Sequence, residues 1–191
     1  MEYVIRKARE SDSSKIARTL AYSFEKGLSP LTKDMERIAR VFENGIATDC
    51  FYIAEQDDEM IGAAAFSDFT GRALKSTKSE CKEHLGFIRG SLAYRILCSE
   101  LMRPHSYPEN TAYIDVVGVL EKARGKGVAK EMLRAIIKNN SKYDEFILEA
   151  DSVNSSAIKC YTDLGFVEFK RVPIIKFFKR SRVYMKYKVL T

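Results

Sequence analysis

The segment Val119-Leu120-Glu121-Lys122-Ala123-Arg124-Gly125-Lys126-Gly127-Val128-Ala129-Lys130 decides how this chain is read. Upstream of it, Tyr113 to Val119 is apolar and β-branched, the pattern of a buried strand. Downstream, Ala129, Met132, Leu133, Ile136 and Ile137 recur at helical spacing, which predicts an amphipathic helix from about Gly127 to Asn139. Strand, glycine turn and helix together make an anion site. The first N–H groups of a helix have no internal acceptors, and its dipole is positive at that end. A diphosphate is the natural ligand of such a loop. Arg124, Lys126 and Lys130 add positive charge around it.

Two common phosphate motifs are excluded. The chain has no G-x-x-x-x-G-K-[ST] loop, and the position three after Gly127 is Lys130, which breaks the G-x-G-x-x-G dinucleotide pattern.

Outward from this centre, strands are expected at residues 2–7, 51–54, 60–66, 113–119, 145–150, 166–170 and 183–189, the last as a charged edge. Helices are expected at 12–24 capped by Ser11 or Asp12, at 32–46, over part of 79–85, at 91–102, at 127–139 and at 154–164. In the helix over 91–102, Leu92, Ile96, Leu97 and Leu101 form the inward stripe, and Pro104 and Pro108 end it. An early hairpin followed by alternating strands and helices gives a mixed α/β sheet in a single domain over 1–191, with 71–107 as a helical insertion.

The chain has 191 residues, of which 46% are hydrophobic and 30% charged, an ordinary globular composition. No apolar run is long enough to span a bilayer. The N-terminus is charged from residue 2, so no secretory signal is expected there and the cytoplasm is the expected compartment. Cys50, Cys81, Cys98 and Cys160 form no C-x-x-C pair, and His84 and His105 are the only histidines. Reduced thiols and no metal site are therefore expected. Net charge is +6, and residues 170–191 carry eight basic side chains (Lys170, Arg171, Lys176, Lys179, Arg180, Arg182, Lys186 and Lys188) with no acidic one. Charge alone could attract a polyanion. No nucleic-acid motif accompanies it, so nucleic acid is not expected as a partner.

The spacing R-x-x-G-x-[GA], met by Arg124, Gly127 and Ala129, resembles the acetyl-CoA signature of the GNAT superfamily of N-acetyltransferases. A second block agrees: Leu148-Glu149, then Asn154, then A-x-x-x-Y-x-x-x-G-F as Ala157, Tyr161, Gly165 and Phe166. The chain departs from the family pattern in having Leu120-Glu121 where proline is common, and Ala129 as the last small residue.

The resemblance implies a mixed, mostly antiparallel twisted sheet flanked by helices, with a cleft between two diverging parallel strands at 113–119 and 145–150. It implies acetyl-CoA as co-substrate. Main-chain groups of Val117, Gly118 and Val119 would pair with the pantetheine arm. The N–H groups of Gly125, Lys126, Gly127, Val128, Ala129 and Lys130 would hold the diphosphate, with Arg124 beside them. Asn154 would bond the cofactor or cap a helix, or both. Tyr161 would be the general acid for the departing thiolate. Glu149 or Asp115 would be the base or hold a cationic substrate; in an unbulged strand Asp115 shares a face with Val117 and Val119.

The implied acceptor is a small-molecule or peptide amine. Its walls would come from about 20–35 and 71–107, and a compact acceptor under a lid is the expectation. Tyr22, Phe24, Phe87, Tyr94 and Tyr107 are candidates for those walls, although core packing is the expectation for each. The competing reading is a non-catalytic acyl-CoA-binding regulatory module. A homodimer is left open.

Overall fold

The structure is a computed structural model that describes residues 2–100, 102–103, 106–175 and 180–189. Seven strands form one sheet: β1 (Val4–Lys7), β2 (Phe51–Gln56), β3 (Glu59–Ser67), β4 (Thr111–Val119), β5 (Glu145–Asp151), β6 (Val167–Ile175) and β7 (Arg180–Lys188). Their order is β1-β2-β3-β4-β5-β7-β6, and every neighbouring pair is antiparallel except β4 and β5. The helices are α1 (Ser13–Ser23), α2 (Glu25–Leu28), α3 (Met35–Glu43), α4 (Lys78–Leu85), α5 (Phe87–Glu100), α6 (Val128–Asn139) and α7 (Ser155–Asp163). No helix among the described residues is long and apolar enough to cross a membrane.

The sheet has a different core on each face. On one side, Met132, Leu133 and Ile136 of α6 and Tyr161 of α7 pack on Ala64, Ile114, Phe146, Leu148, Val183 and Met185. On the other, Ile16 and Leu20 of α1 pack on Phe51, Ile53, Ala63, Ala65 and Val116. That second core holds residues of β2–β4 and none of β5 or β7.

Several boundaries differ from the sequence reading. β7 lies inside the sheet and β6 is the edge, because β7 pairs on both sides. Val183, Tyr184 and Met185 are buried accordingly. Alternating lysines mark a polar face of the strand, and a polar face is compatible with an inner position in the sheet. Within the basic C-terminal stretch, Lys176 and Lys179 lie outside the described residues, as do Leu101, Pro104 and His105.

Asp12 precedes α1, but its carboxylate does not cap that helix. It accepts from Arg6 at 2.7 and 3.0 Å and from the Arg9 N–H at 2.8 Å, and the Arg6 guanidinium draws its pKa down. Asp34 caps α3 through the Glu36 and Arg37 N–H groups, so that helix starts three residues later than expected.

The insertion at 71–107 is helical as expected, and its helices add a layer to the core. Leu74, Cys81, Leu85, Ala93 and Leu97 join Ala17, Ala21, Met35, Ile38 and Phe42 in a third core, so α4 and α5 stack on α1 and α3. The inward stripe of α5 is rotated from the expected one. Gly90 approaches Cys81 so closely that a Cβ there would meet the Cys81 carbonyl oxygen at 2.3 Å. With Gly90 at the contact, Ala93 and Leu97 turn inward, while Leu92 and Ile96 are 53% and 40% exposed. Phe87, Tyr22 and Phe24 are exposed as well, against the expectation of core packing.

The insertion is tied to the sheet by a buried ion pair. Arg72 Nε lies 3.1 Å from the Asp115 carboxylate, which also accepts from Ser67 Oγ at 2.6 Å and the Ala73 N–H at 2.9 Å. The two side chains are 8% and 3% exposed. Removing one partner of such a pair strands a charge in a poorly solvating environment and costs about 3–5 kcal/mol. Arg72→Met is therefore expected to lower the unfolding free energy by about that amount in urea titration.

Candidate active site

β4 and β5 pair in parallel only at Thr111↔Glu145, Ala112↔Phe146 and Tyr113↔Ile147. Beyond that point β4 continues to Val119 and β5 to Asp151 with no ladder between them. The cause lies in β4. Against β3, Ala65 pairs with Val116 and Phe66 with Ile114, so Asp115 is an extra residue and the strand is bulged there. A bulge bends its strand and increases the local twist. Val117, Gly118 and Val119 remain paired to β3 through Ala64, Ala63 and Gly62, while their other edge faces the split. Backbone groups along such an edge need partners. An extended amide-bearing chain supplies them.

The bulge also corrects the expected facing of Asp115. Its carboxylate bonds Ser67 and Arg72, whereas Val117 and Val119 pack against the α6-side core. Asp115 thus joins the insertion to the sheet and does not line the split beside those valines.

At the far end of β4 the chain makes a 3-10 turn over Glu121–Ala123 and enters α6 through Gly127. Gly127 has φ 82° and ψ −3°, and no side chain caps the helix. Left-handed torsions cost a side-chain-bearing residue about 1–2 kcal/mol, which explains a glycine here. The first intrahelical bond is Glu131 N–H to the Gly127 carbonyl. The N–H groups of Val128, Ala129 and Lys130 precede it and have no acceptor within the helix.

Arg124 is not turned toward this loop. Its guanidinium donates to the Val119 carbonyl at 3.1 Å and the Ser23 carbonyl at 2.7 Å, fastening the loop to β4 and to the end of α1. Tyr3, unnoticed in the sequence, donates to the Lys126 carbonyl at 3.4 Å. Glu131 is the one carboxylate in the first turn of α6, and Arg134 pairs with it at 2.6 Å.

Asn154 caps α7: its side-chain oxygen accepts from the Ala157 N–H at 3.2 Å and from Ser156 Oγ at 3.0 Å. Tyr161 lies one helical turn beyond Ala157, buried in the α6-side core with its ring 6.2 Å from that of Phe166. Its hydroxyl makes no hydrogen bond among the described residues. Burial raises its pKa well above the usual tyrosine value, so the phenol keeps its proton.

Glu149 is two residues past the last β4–β5 pair and stands opposite Tyr184 of β7. Its neighbours in sequence, Leu148 and Ala150, point into the α6-side core, so Glu149 faces the other side. Arg103 Nη2 and Arg182 Nε each lie 3.5 Å from it, on different carboxylate oxygens. Arg103 also approaches the Tyr184 hydroxyl at 3.4 Å. Burial, then the charge of Glu149, push the pKa of the Tyr113 phenol upward. Tyr107 stacks on Tyr113 with centroids 5.8 Å apart.

The residues singled out in sequence therefore fall into separate places. Val117–Val119 edge the split, Gly125–Lys130 close its end, and Glu149 and Tyr161 belong to opposite faces of the sheet. Asp115 and Arg124 are engaged in structural bonds. Arg103 and Tyr184, 46 and 81 positions from their partners in this cluster, could not be found from local pattern. The two-residue period of β7 does place Arg182, Tyr184 and Lys186 on one face, but it identifies no partner for them.

This chain resembles known proteins in sequence and in fold. The model of the acetyltransferase (GNAT) family matches residues 17–166. N-alpha-acetyltransferase 30 of Saccharomyces cerevisiae is 35% identical over 79 residues, 40% of this chain and 44% of that protein. N-alpha-acetyltransferase MAK3 of Arabidopsis thaliana is 33% identical over 90 residues, 46% of each chain. The matched stretch thus spans less than half the length of these curated relatives. An N-acetyltransferase from Staphylococcus aureus Mu50 superposes with TM-score 0.63 at 17% identity, covering 96% of this chain and 100% of that one. A chain of the NatC complex bound to Gag peptide and CoA superposes with TM-score 0.59 at 17% identity, covering 100% of both. At such identities these likenesses show the fold.

Proposed function

As this chain belongs to the acetyltransferase (GNAT) family, whose model spans residues 17–166, we propose that it moves an acetyl group from acetyl-CoA to a primary amine by direct attack in a ternary complex. The observation that carries this reading is the loss of β4–β5 pairing after Tyr113↔Ile147, with the uncapped Gly127 helix start at the end of the same strand. The residues present suit the co-substrate. The open edge of Val117–Val119 matches the amides of a pantetheine arm, and the N–H groups from Gly125 to Lys130 match a diphosphate. When bound, acetyl-CoA supplies the activated carbonyl.

The protein's own tasks follow from its side chains. A main-chain N–H of β4 facing the split stabilises developing negative charge on the carbonyl oxygen. Glu149 accepts a proton from the acceptor amine, or holds the ammonium before it is lost. Tyr161, kept protonated by burial, gives its proton to the departing sulfur. Asp115 is left out of this scheme because Arg72, Ser67 and the Ala73 N–H occupy its oxygens. Asn154 caps α7 through its side-chain oxygen, and its amide N–H groups would serve a cofactor contact.

The two curated relatives are N-alpha-acetyltransferases, and a peptide α-amine is the first acceptor to try here. A panel of peptide and small-molecule amines, incubated with acetyl-CoA and followed by free-thiol release and product mass, tests the reading. Release that depends on the amine and falls by about 10²–10⁴ in Glu149→Gln is expected. CoA binding with no turnover on any amine would favour a non-catalytic acyl-CoA-binding module.

A further inference from the structure

The insertion leaves one helix face uncovered. Ala93 and Leu97 of α5 join the core shared with α1, α3 and α4, and Gly90 lies against Cys81. The opposite face carries Ile88, Leu92 and Ile96 at intervals of four, which places them in one row along the helix. All three are exposed, and so is Phe87 beside the first. Single exposed apolar side chains are ordinary, whereas a row of them marks a surface that meets something. The exposure is graded. Phe87 and Ile88, at the corner where Gly86 turns the chain from α4 into α5, are 74% and 83% exposed, and the values fall along the helix to Leu92 and Ile96. The apolar row therefore projects furthest at the corner.

The charges around the row are of one sign. Arg89 and Arg95 lie three positions either side of Leu92, so they flank the row left and right, about 9 Å apart along the axis. Both are exposed, and neither makes a hydrogen bond or ion pair among the described residues. Lys82 of α4 lies 4.1 Å over the Phe87 ring. Residues 84–99 contain no acidic side chain. A second copy docked on this face would set arginines against arginines with no carboxylate between them, which is unfavourable. A helix of another protein would have to match the row along its length. This row slopes, and its cations stand apart on opposite sides. A planar anionic surface suits both features. Apolar tips enter the acyl boundary at the corner, and separated cations meet dispersed headgroup charge.

We propose that α5 is a docking face for an anionic lipid bilayer: Phe87, Ile88, Leu92 and Ile96 enter the interfacial zone while Arg89, Arg95 and Lys82 meet the headgroups. The chain rests on the surface in this contact and does not cross it. Neither CoA nor acetyl transfer is needed for it.

Flotation of the full chain with vesicles tests this, using phosphatidylcholine alone and phosphatidylcholine with about a third phosphatidylserine. At about 0.1 M salt the anionic vesicles are expected to bind at least about thirtyfold tighter than the neutral ones, and the gap should narrow at about 0.5 M. Each basic side chain near such a surface is worth about fivefold, so Arg89→Gln combined with Arg95→Gln should cost about twentyfold. Ile88→Ser combined with Leu92→Ser should cost about tenfold or more through lost insertion. All four positions are exposed, so both variants should melt as the parent does. Lys170→Gln combined with Arg171→Gln removes the same charge from the exposed edge strand β6 and should change binding by less than about threefold. No binding, or equal binding to the two vesicle types, overturns the proposal. A loss in the β6 variant as large as in the arginine variant of α5 does so too, because net charge alone would then account for the binding. So does a parent that sediments as a dimer and falls to a monomer in the Ile88 and Leu92 variant, or α5-dependent binding to an acidic amphipathic peptide with none to vesicles.

Discussion

Gly127→Glu is expected to abolish CoA binding while leaving the protein folded. Two effects add. The residue has φ 82° and caps α6 without any side-chain bond, so a side chain there is strained by about 1–2 kcal/mol. The larger effect is charge. Two like charges about 4 Å apart at an effective dielectric near 20 repel by about 4 kcal/mol, which is about three orders of magnitude in Kd. Titration calorimetry with CoA checks it. Gly127→Ala separates the causes, because it carries the strain without the charge and should weaken binding by about thirtyfold at most. Since a Cβ at Gly127 meets, among the described residues, only the Tyr3 hydroxyl at 3.6 Å, crowding contributes little in either variant. CoA affinity unchanged in Gly127→Glu would show that the helix start is not the diphosphate site.

Tyr161→Phe is expected to lower kcat by about 10²–10⁴ while the Kd for CoA moves by less than about threefold. The substitution removes one oxygen and keeps the ring that packs against Phe166, so the melting temperature should stay close to the parent's. The pH profile adds a second readout. A phenol whose pKa is raised by burial still carries its proton at pH 10, the unshifted value, so no loss of kcat below that pH should trace to Tyr161. A variant that turns over as fast as the parent removes Tyr161 as the acid. A variant that loses CoA affinity in proportion to kcat makes it a packing residue of the cofactor cleft.

Local signals in the chain carry a good part of this picture. Gly127 before an apolar helical stripe, and Asn154 before Ala157, mark helix starts through backbone torsion and capping, which depend on a few adjacent residues. Strand positions were legible because burial on both faces selects apolar runs. The bulge at Asp115 was not, since it exists only as a mismatch in register between β4 and β3. Nor was the inner position of β7. Its basic side chains describe which face they occupy and say nothing about what pairs on either edge.

By itself, then, the sequence determined the alternation of strands and helices, the glycine-opened helix after β4, and the tyrosine and carboxylate beside it. All are written in runs of a few residues, where torsion preference and hydrophobic period act. Only the tertiary structure decided that Asp115 serves Arg72, that Arg124 bonds carbonyls of β4 and α1, and that Arg103 and Arg182 converge on Glu149. Those pairings join residues far apart in the chain. Ionic contacts of this kind follow wherever packing brings charges within a few ångströms, and no local pattern records the distance.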